Sequence, residues 1–233
     1  MEPIGWDVAC FLDSPQQHGT DTGVFMASGE IWHSRIMHDS TLMKSATNDA
    51  IENDIAFAAE TTRRNKAGEP LTEEQFPKEM RPMRMGERYG DLPNIFCAGG
   101  YWVVSRHFAD VMQRCELGQT SFYPVSFFQS DMKTRVDGEF FHLNFAETKE
   151  AFDPVKSKNV TSFSSNVWRA ANVPKDGEIA VSDAALSGAD LWVDPRLRHS
   201  VFMSKCLVEH LRKEKLTQRL GLAKCTIVQS NES

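Results

Sequence analysis

The sequence predicts an α+β fold, a mixed, mainly antiparallel sheet with helices packed on it, in which a strand-Ser-helix-strand unit is a candidate repeat. Three observations predict it. Residues 101–104 (Tyr-Trp-Val-Val) are aromatic and β-branched, which suits a buried strand, and they run through Ser105 into a helical pattern. The same arrangement returns at 201–211 around Ser204. Asp137-Gly138 is a strong turn signal set between β-rich runs.

Taken in order, residues 6–12 (Trp-Asp-Val-Ala-Cys-Phe-Leu) read as an opening strand, ended by Asp13-Ser14-Pro15 and followed by a polar loop to Gly23. Residues 24–28 suit a second short strand, and 30–46 fit neither period. A helix is predicted over 48–66, where Ile51, Ile55, Ala58 and Ala59 make one apolar stripe. Glu52, Asp54 and Glu60 lie off that stripe, Arg63, Arg64 and Lys66 complement the dipole in the last turn, and Gly68 is the stop. Residues 69–93 carry Pro70, Pro77, Pro82 and Pro93 and read as an extended or short-helical connector. It is expected to pack along the body, because Phe76, Met80, Met83 and Met85 need cover.

Gly99-Gly100 is a bend before the strand at 101–104, with Cys97 as a small core residue. Ser105 is placed to accept a hydrogen bond from one of the unpaired N–H groups that open a helix. Phe108, Val111, Met112 and Cys115 then fall at i, i+3, i+4 and i+7, a helical core face closed by Leu117-Gly118. Residues 122–128 form the next strand, with Pro124 interrupting its hydrogen bonding. Asp137-Gly138 turns a preceding strand into 140–145, where Phe141, Leu143 and Phe145 alternate with more polar neighbours. Residues 147–162 read as irregular, 162–169 as a strand, 172–177 as a turn and 183–188 as a short helical piece. Leu191-Trp192-Val193 leads to Asp194-Pro195.

The second unit follows. Its serine stands 99 positions after the first, and at that offset Phe108 matches Leu207, Met112 matches Leu211 and Leu117 matches Leu216. Met203 and Val208 flank Ser204 at the spacing of a hydrophobic staple, and residues 225–228 are β-rich. Internal duplication and two independent strand-Ser-helix units both account for the match. The chain divides into residues 1–92, with one long helix and a Pro-rich connector, and residues 93–233, the α+β region. The two are expected to form one compact body.

Composition narrows the function classes. The 233 residues are 41% hydrophobic and 25% charged, which is ordinary for a globular protein, with a formal net charge of -6. That balance disfavours nucleic acid as a partner, since phosphate binding needs excess Lys and Arg. No run approaches the ~18 apolar residues of a membrane span, and the N-terminus lacks the layout of a secretion signal, so a cytoplasmic location is expected. The five cysteines are odd in number and form no CxxC pair, which fits reduced thiols.

No catalytic, cofactor or metal constellation emerges. The histidines are His18, His33, His38, His107, His142, His199 and His210, and none shares a ligand spacing. His33 and His38, five apart, would face different sides of a helix. No GxSxG elbow accompanies the serines, and Gly99-Gly100 matches no phosphate-binding loop. Cys97 reads as core rather than nucleophile, and Asp137 with Glu139 as a hairpin tip rather than a carboxylate pair. An acidic group remains. Asp49, Glu52, Asp54, Glu60, Glu73 and Glu74, with Glu69 among them, form a solvated face or a surface for a basic partner.

The layout of the second half resembles a known family. Gly99-Gly100-Tyr101-Trp102-Val103-Val104-Ser105 with its helix is followed by Phe122-Tyr123-Pro124-Val125 and by Phe141-His142-Leu143-Asn144. Then come residues 186–195 (Leu-Ser-Gly-Ala-Asp-Leu-Trp-Val-Asp-Pro), Phe202-Met203-Ser204 with its helix, and Cys225-Thr226-Ile227-Val228. Over roughly residues 90–229 this is similar to bacterial immunity proteins of polymorphic toxin systems. The resemblance implies a small cytoplasmic antidote that binds and neutralises a toxin encoded beside it, without enzymatic activity or shared catalytic residues. Two other readings compete. An enzyme, such as a hydrolase, would show a deep pocket with convergent polar groups. A structural or phage-associated accessory protein would assemble with itself.

Overall fold

The computed structural model describes residues 29–229, so the strands expected at 6–12 and 24–28 lie outside the described residues. In chain order the elements are β1 (Ile31–Ser34), β2 (Met43–Lys44), α1 (Asp49–Asn53), α2 (Ile55–Lys66), β3 (Glu79–Met80), β4 (Ile95–Ala98), β5 (Tyr101–Ser105) and α3 (Arg106–Met112). They continue with β6 (Ser121–Phe127), β7 (Phe140–Asn144), β8 (Val160–Ser164), β9 (Val167–Ala170), β10 (Ala180–Ser182) and β11 (Leu191–Val193). The last are β12 (Val201–Ser204), α4 (Lys205–Lys213), β13 (Leu222–Lys224) and β14 (Thr226–Val228). A six-stranded sheet runs β2-β4-β5-β7-β6-β3 and a four-stranded sheet runs β11-β12-β1-β13. Most pairings are antiparallel; β2-β4, β3-β6 and β10-β14 are parallel. The architecture is α+β with mixed sheets, as the sequence predicts.

Each main sheet feeds one helix. The β4-β5 hairpin closes at Gly99-Gly100, whose φ values of 56° and 94° lie in the left-handed region. A side chain at Gly99 would also approach the Ala46 carbonyl to 2.9 Å. The pair is therefore the bend before the strand that the sequence predicts, and it is the turn of a buried hairpin. β5 passes into α3 at Ser105, whose Oγ accepts from the Phe108 N–H at 3.2 Å. β11 and β12 pair in the same antiparallel sense, and β12 passes into α4 at Ser204, whose Oγ accepts from the Leu207 N–H at 3.3 Å. Both serines are caps.

Alternation along these strands builds three layers of core. Trp102, Val104 and Leu143 from one sheet and Leu191, Val193, Val201 and Met203 from the other converge on the inner faces of α3 and α4. At the 99-residue offset the matched pairs Phe108 and Leu207, Met112 and Leu211, and Leu117 and Leu216 are all buried in this central cluster. The opposite face of the six-stranded sheet buries Phe96, Val103, Phe127 and Phe140. The opposite face of the four-stranded sheet buries Ile31, Trp192 and Phe202 under Phe152 and Val181.

Several expectations change. The helix predicted over 48–66 is two helices, because Asp54 takes φ -143° and caps α2 by accepting from the Phe57 N–H at 2.9 Å. The break resets the phase, so the predicted stripe does not form. Ala58, Thr61, Thr62 and Asn65 are buried, whereas Ile55 is 70% exposed. The 69–93 connector does add β3 to the edge of the large sheet and buries Phe76 and Met80, but Met83 and Met85 stay exposed. β7 does not alternate between core and solvent. Both its faces are covered, so His142 and Asn144 are buried as well as Leu143. Asp137-Gly138 ends a long excursion between β6 and β7 rather than a tight hairpin. The single strand expected at 162–169 is the β8-β9 hairpin, turned at Asn166 with φ 58°. β1, in the stretch that fits neither period, pairs with both β12 and β13. His33 lies on that strand, not on a helix with His38.

Candidate partner-binding surface

The predicted acidic residues fall into two places. Asp49 opens α1, and Glu52 follows on the same helix, where it accepts from Thr47 Oγ1 at 3.1 Å and pairs with Arg81 at 2.8 Å. Asp54 caps α2. Glu60 pairs with Arg63 at 2.7 Å, and that hydrogen bond holds its carboxyl below the usual range. Glu69 pairs with Arg64 at 2.6 Å. Glu73 and Glu74 lie on a separate 3-10 turn (Glu73–Gln75), where the Thr72 hydroxyl lowers the Glu74 carboxyl pKa. Glu52 on α1, Asp54 at the junction and Glu60 on α2 thus mark an α1–α2 rim, with Glu52 and Glu60 paired to arginines and Asp54 engaged by backbone.

The rim also exposes apolar residues, one of which, Ile55, the sequence pattern assigned to the core. Ile55 is 70% exposed and Phe57 48% exposed, in the first turn of α2 immediately after Asp54. Arg81, joined to Thr47 by two backbone hydrogen bonds and to Glu52 by the ion pair, brings the start of the next loop beside α1. That loop bears Met83, 64% exposed, and Met85, fully exposed. Apolar side chains bordered by charged ones are the composition of a protein interface, since burying them on a partner recovers the hydrophobic stabilisation that solvent exposure forgoes. The signal missed in the sequence was Asp54 itself, a preferred cap residue set inside a helical pattern.

α2 is held to the body by polar anchors. Asn65 Nδ2 donates to the Leu143 carbonyl at 2.9 Å, while its Oδ1 accepts from Asn144 Nδ2 at 2.9 Å and from the Phe145 N–H at 3.1 Å. These bonds face Asn65 inward and leave Ile55 and Phe57 outward.

A cleft lies at the other end of α2. Its cavity, about 250 Å³, is lined by Arg63, Lys66, Asp194, Arg198, His199 and Ser200 among others. Ser200 Oγ sits 2.9 Å from His33 Nε2, the one serine–histidine contact among the described side-chain hydrogen bonds. Burial pushes His33 down to about 3, which makes it a weak base, and its Nδ1 has no hydrogen-bond partner among the described residues. A nucleophilic serine needs a base oriented by a third group, and no described residue supplies one to this pair. Asp194 is committed to the backbone N–H groups of Phe152 and Arg196. Burial also drives His199 down to about 4, with Arg198 adding to the effect. Cys97 is buried and burial raises its thiol pKa, as fits a core residue.

Histidine and cysteine spacing gave no metal-ligand set, yet the fold brings Cys115, Cys206 and His210 together at the α3–α4 seam. Their separation in sequence hides this. Among the described residues no helix is long and apolar enough to cross a membrane.

Comparison with known families gives a match over most of the chain. A family model described as the immunity protein family Imm11 matches residues 35–220, reaching far upstream of the stretch where the sequence resemblance begins. No curated protein matches the chain.

Proposed function

The chain belongs to the Imm11 immunity protein family, and on that premise we propose that it is a bacterial cytoplasmic antidote that binds a cognate toxin by direct contact. The toxin is one encoded beside it in a polymorphic toxin system. The contact is centred on the α1–α2 rim, and the exposure of Ile55 and Phe57 directly beside Asp54 carries this reading. Together with Met83 and Met85 they supply apolar anchors, Glu52, Asp54 and Glu60 supply the charged border, and Asp49 is a further candidate by its sequence position alone. Glu73 and Glu74 extend the acidic field on the neighbouring turn. A standard interface buries about 1,600 Å² and draws most of its energy from a few such anchors. The charged border steers encounter and rejects wrong partners. A net charge of -6 suits a toxin domain with a basic surface.

The test mixes the purified protein with the product of the adjacent toxin-like gene. The expected result is a stable complex and protection of cells that express the toxin. Phe57→Asp should weaken binding at least about 30-fold, the scale of losing a hot-spot residue of ~2 kcal/mol, with the thermal melt unchanged. Absence of a complex and of protection sinks the antidote reading. Full affinity in Phe57→Asp and Ile55→Asp moves the interface elsewhere.

A further inference from the structure

The α3–α4 seam holds a group of side chains that the antidote reading does not use. Cys115 lies just past the end of α3, and Cys206 and His210 lie one turn apart on α4. The two sulfurs are 3.4 Å apart, and His210 Nδ1 is 3.6 Å from Cys115 Sγ and 3.7 Å from Cys206 Sγ. A tetrahedral cation with bonds of about 2.3 Å to sulfur and about 2.0 Å to nitrogen would set these edges at roughly 3.5–3.8 Å. The triangle is therefore almost closed to that size before any ion arrives.

Both sides of the triangle are pre-positioned. Cys206 and His210, at i and i+4, share one helical face. Cys115 is fixed through its neighbour, because Glu116 N–H donates to the Asp190 carboxylate at 2.8 Å and Asp190 N–H donates to the Glu116 carbonyl at 2.6 Å. That carboxylate also places negative charge near the Cys115 sulfur. Cys206 is exposed and the other two are partly buried, so solvent ions reach the group.

We propose that Cys115, Cys206 and His210 bind one thiophilic divalent cation of the zinc class, with the fourth coordination position open to solvent or to a donor from a partner. Two thiolates and an imidazole are a soft donor set, which selects zinc over magnesium or calcium. Binding releases two protons to solvent, one from each thiol. The His210 ring proton moves to Nε2, and the 2.9 Å contact of Nδ1 with the Cys206 carbonyl is given up. Because each thiol gives up a proton on binding, affinity should climb with pH. The site joins the two helices of the central core and stands independently of the toxin-binding reading.

The reduced full chain is titrated with cobalt(II) as a spectroscopic probe, then with zinc(II). One equivalent of cobalt should give a thiolate-to-metal absorption band that zinc displaces, and zinc should raise the melting temperature. Cys206→Ser and His210→Ala should each lower affinity more than about 100-fold, beyond what outer-shell changes cause. Cys115→Ser checks the third ligand. Circular dichroism confirms that the variants fold, which Cys206→Ser should do because that residue is exposed. Absence of the band, or unchanged affinity in folded variants, overturns the site. So does a Cys115–Cys206 disulfide, seen as a mass loss of two hydrogens in air, in a protein whose reduced form takes up no cation.

Discussion

α4 and α2 are both surface helices of similar length, held to the body by opposite means. α4 turns Leu207, Val208 and Leu211 into the central core and leaves Lys205, Glu209, Arg212 and Lys213 in solvent. α2 buries Ala58, Thr61, Thr62 and Asn65 and leaves Ile55 and Phe57 in solvent. An apolar face fixes a helix through non-directional burial that any correctly phased sequence supplies. A polar face fixes it through a few directed hydrogen bonds, which release its large apolar residues for other use. The comparison therefore reads α4 as scaffold and supports the proposed partner-facing role of α2.

The sharpest way to break that comparison is to truncate one apolar residue on each helix. Leu211→Ala should cost about 2–5 kcal/mol, because it opens a cavity in the central core. Ile55→Ala should stay within about 0.5 kcal/mol of the parent. Urea melts of the two variants measure both, and a large loss at Ile55 would show that its exposed face is structural. Next comes the polar anchor. Asn65→Ala strands the Leu143 carbonyl and the Phe145 N–H in the interior, at ~1–3 kcal/mol for each orphaned group. Protease nicking within α2 should rise in the same variant, and a melt like the parent's would refute the anchor.

Acid titration extends the contrast to the strands. Burial holds His33 down to about 3 and His142 down to about 4, although His142 Nε2 donates to the Pro77 carbonyl. The unfolded chain takes these protons near 6.5, before the folded chain does, so protons favour unfolding. Stability should be full above about pH 6.5 and fall toward pH 4, with a slope of up to about 1.4 kcal/mol per pH unit for each histidine. Urea midpoints measured from pH 7.5 to 4.5 test this, and a flat profile would contradict it. The smallest of the expected losses is at the caps. Ser105→Ala and Ser204→Ala should each cost about 1 kcal/mol. Melts giving very unequal values would separate two units whose caps look alike.

These helices also show what could be read from the chain. The α3 and α4 units were legible because serine caps, apolar spacing and β-branched strands agree at each level. α2 was misread because Ile51 and Ile55 lie on opposite sides of the Asp54 break, where capping overrides periodicity. β7 was half read, since its alternation hides that both faces are covered and that His142 and Asn144 find partners inside. β1 was missed because Ile31-Trp32-His33-Ser34 has no clean period, and His33 and Ser34 are buried only through bonds to Ser200 and Leu220. The acidic candidates could be named one by one, but not the exposed apolar residues beside them.

By itself the sequence determined the α+β class, the two serine-capped helices and their buried faces, because caps and periodicity act over a few residues. Only the tertiary structure decided which side of α2 meets solvent and which distant side chains meet one another. Thus Arg81 reaches Glu52, Ser200 reaches His33, and Cys115 reaches Cys206 and His210. These pairings are fixed by how two sheets close over two helices, and local propensity carries no record of that closure.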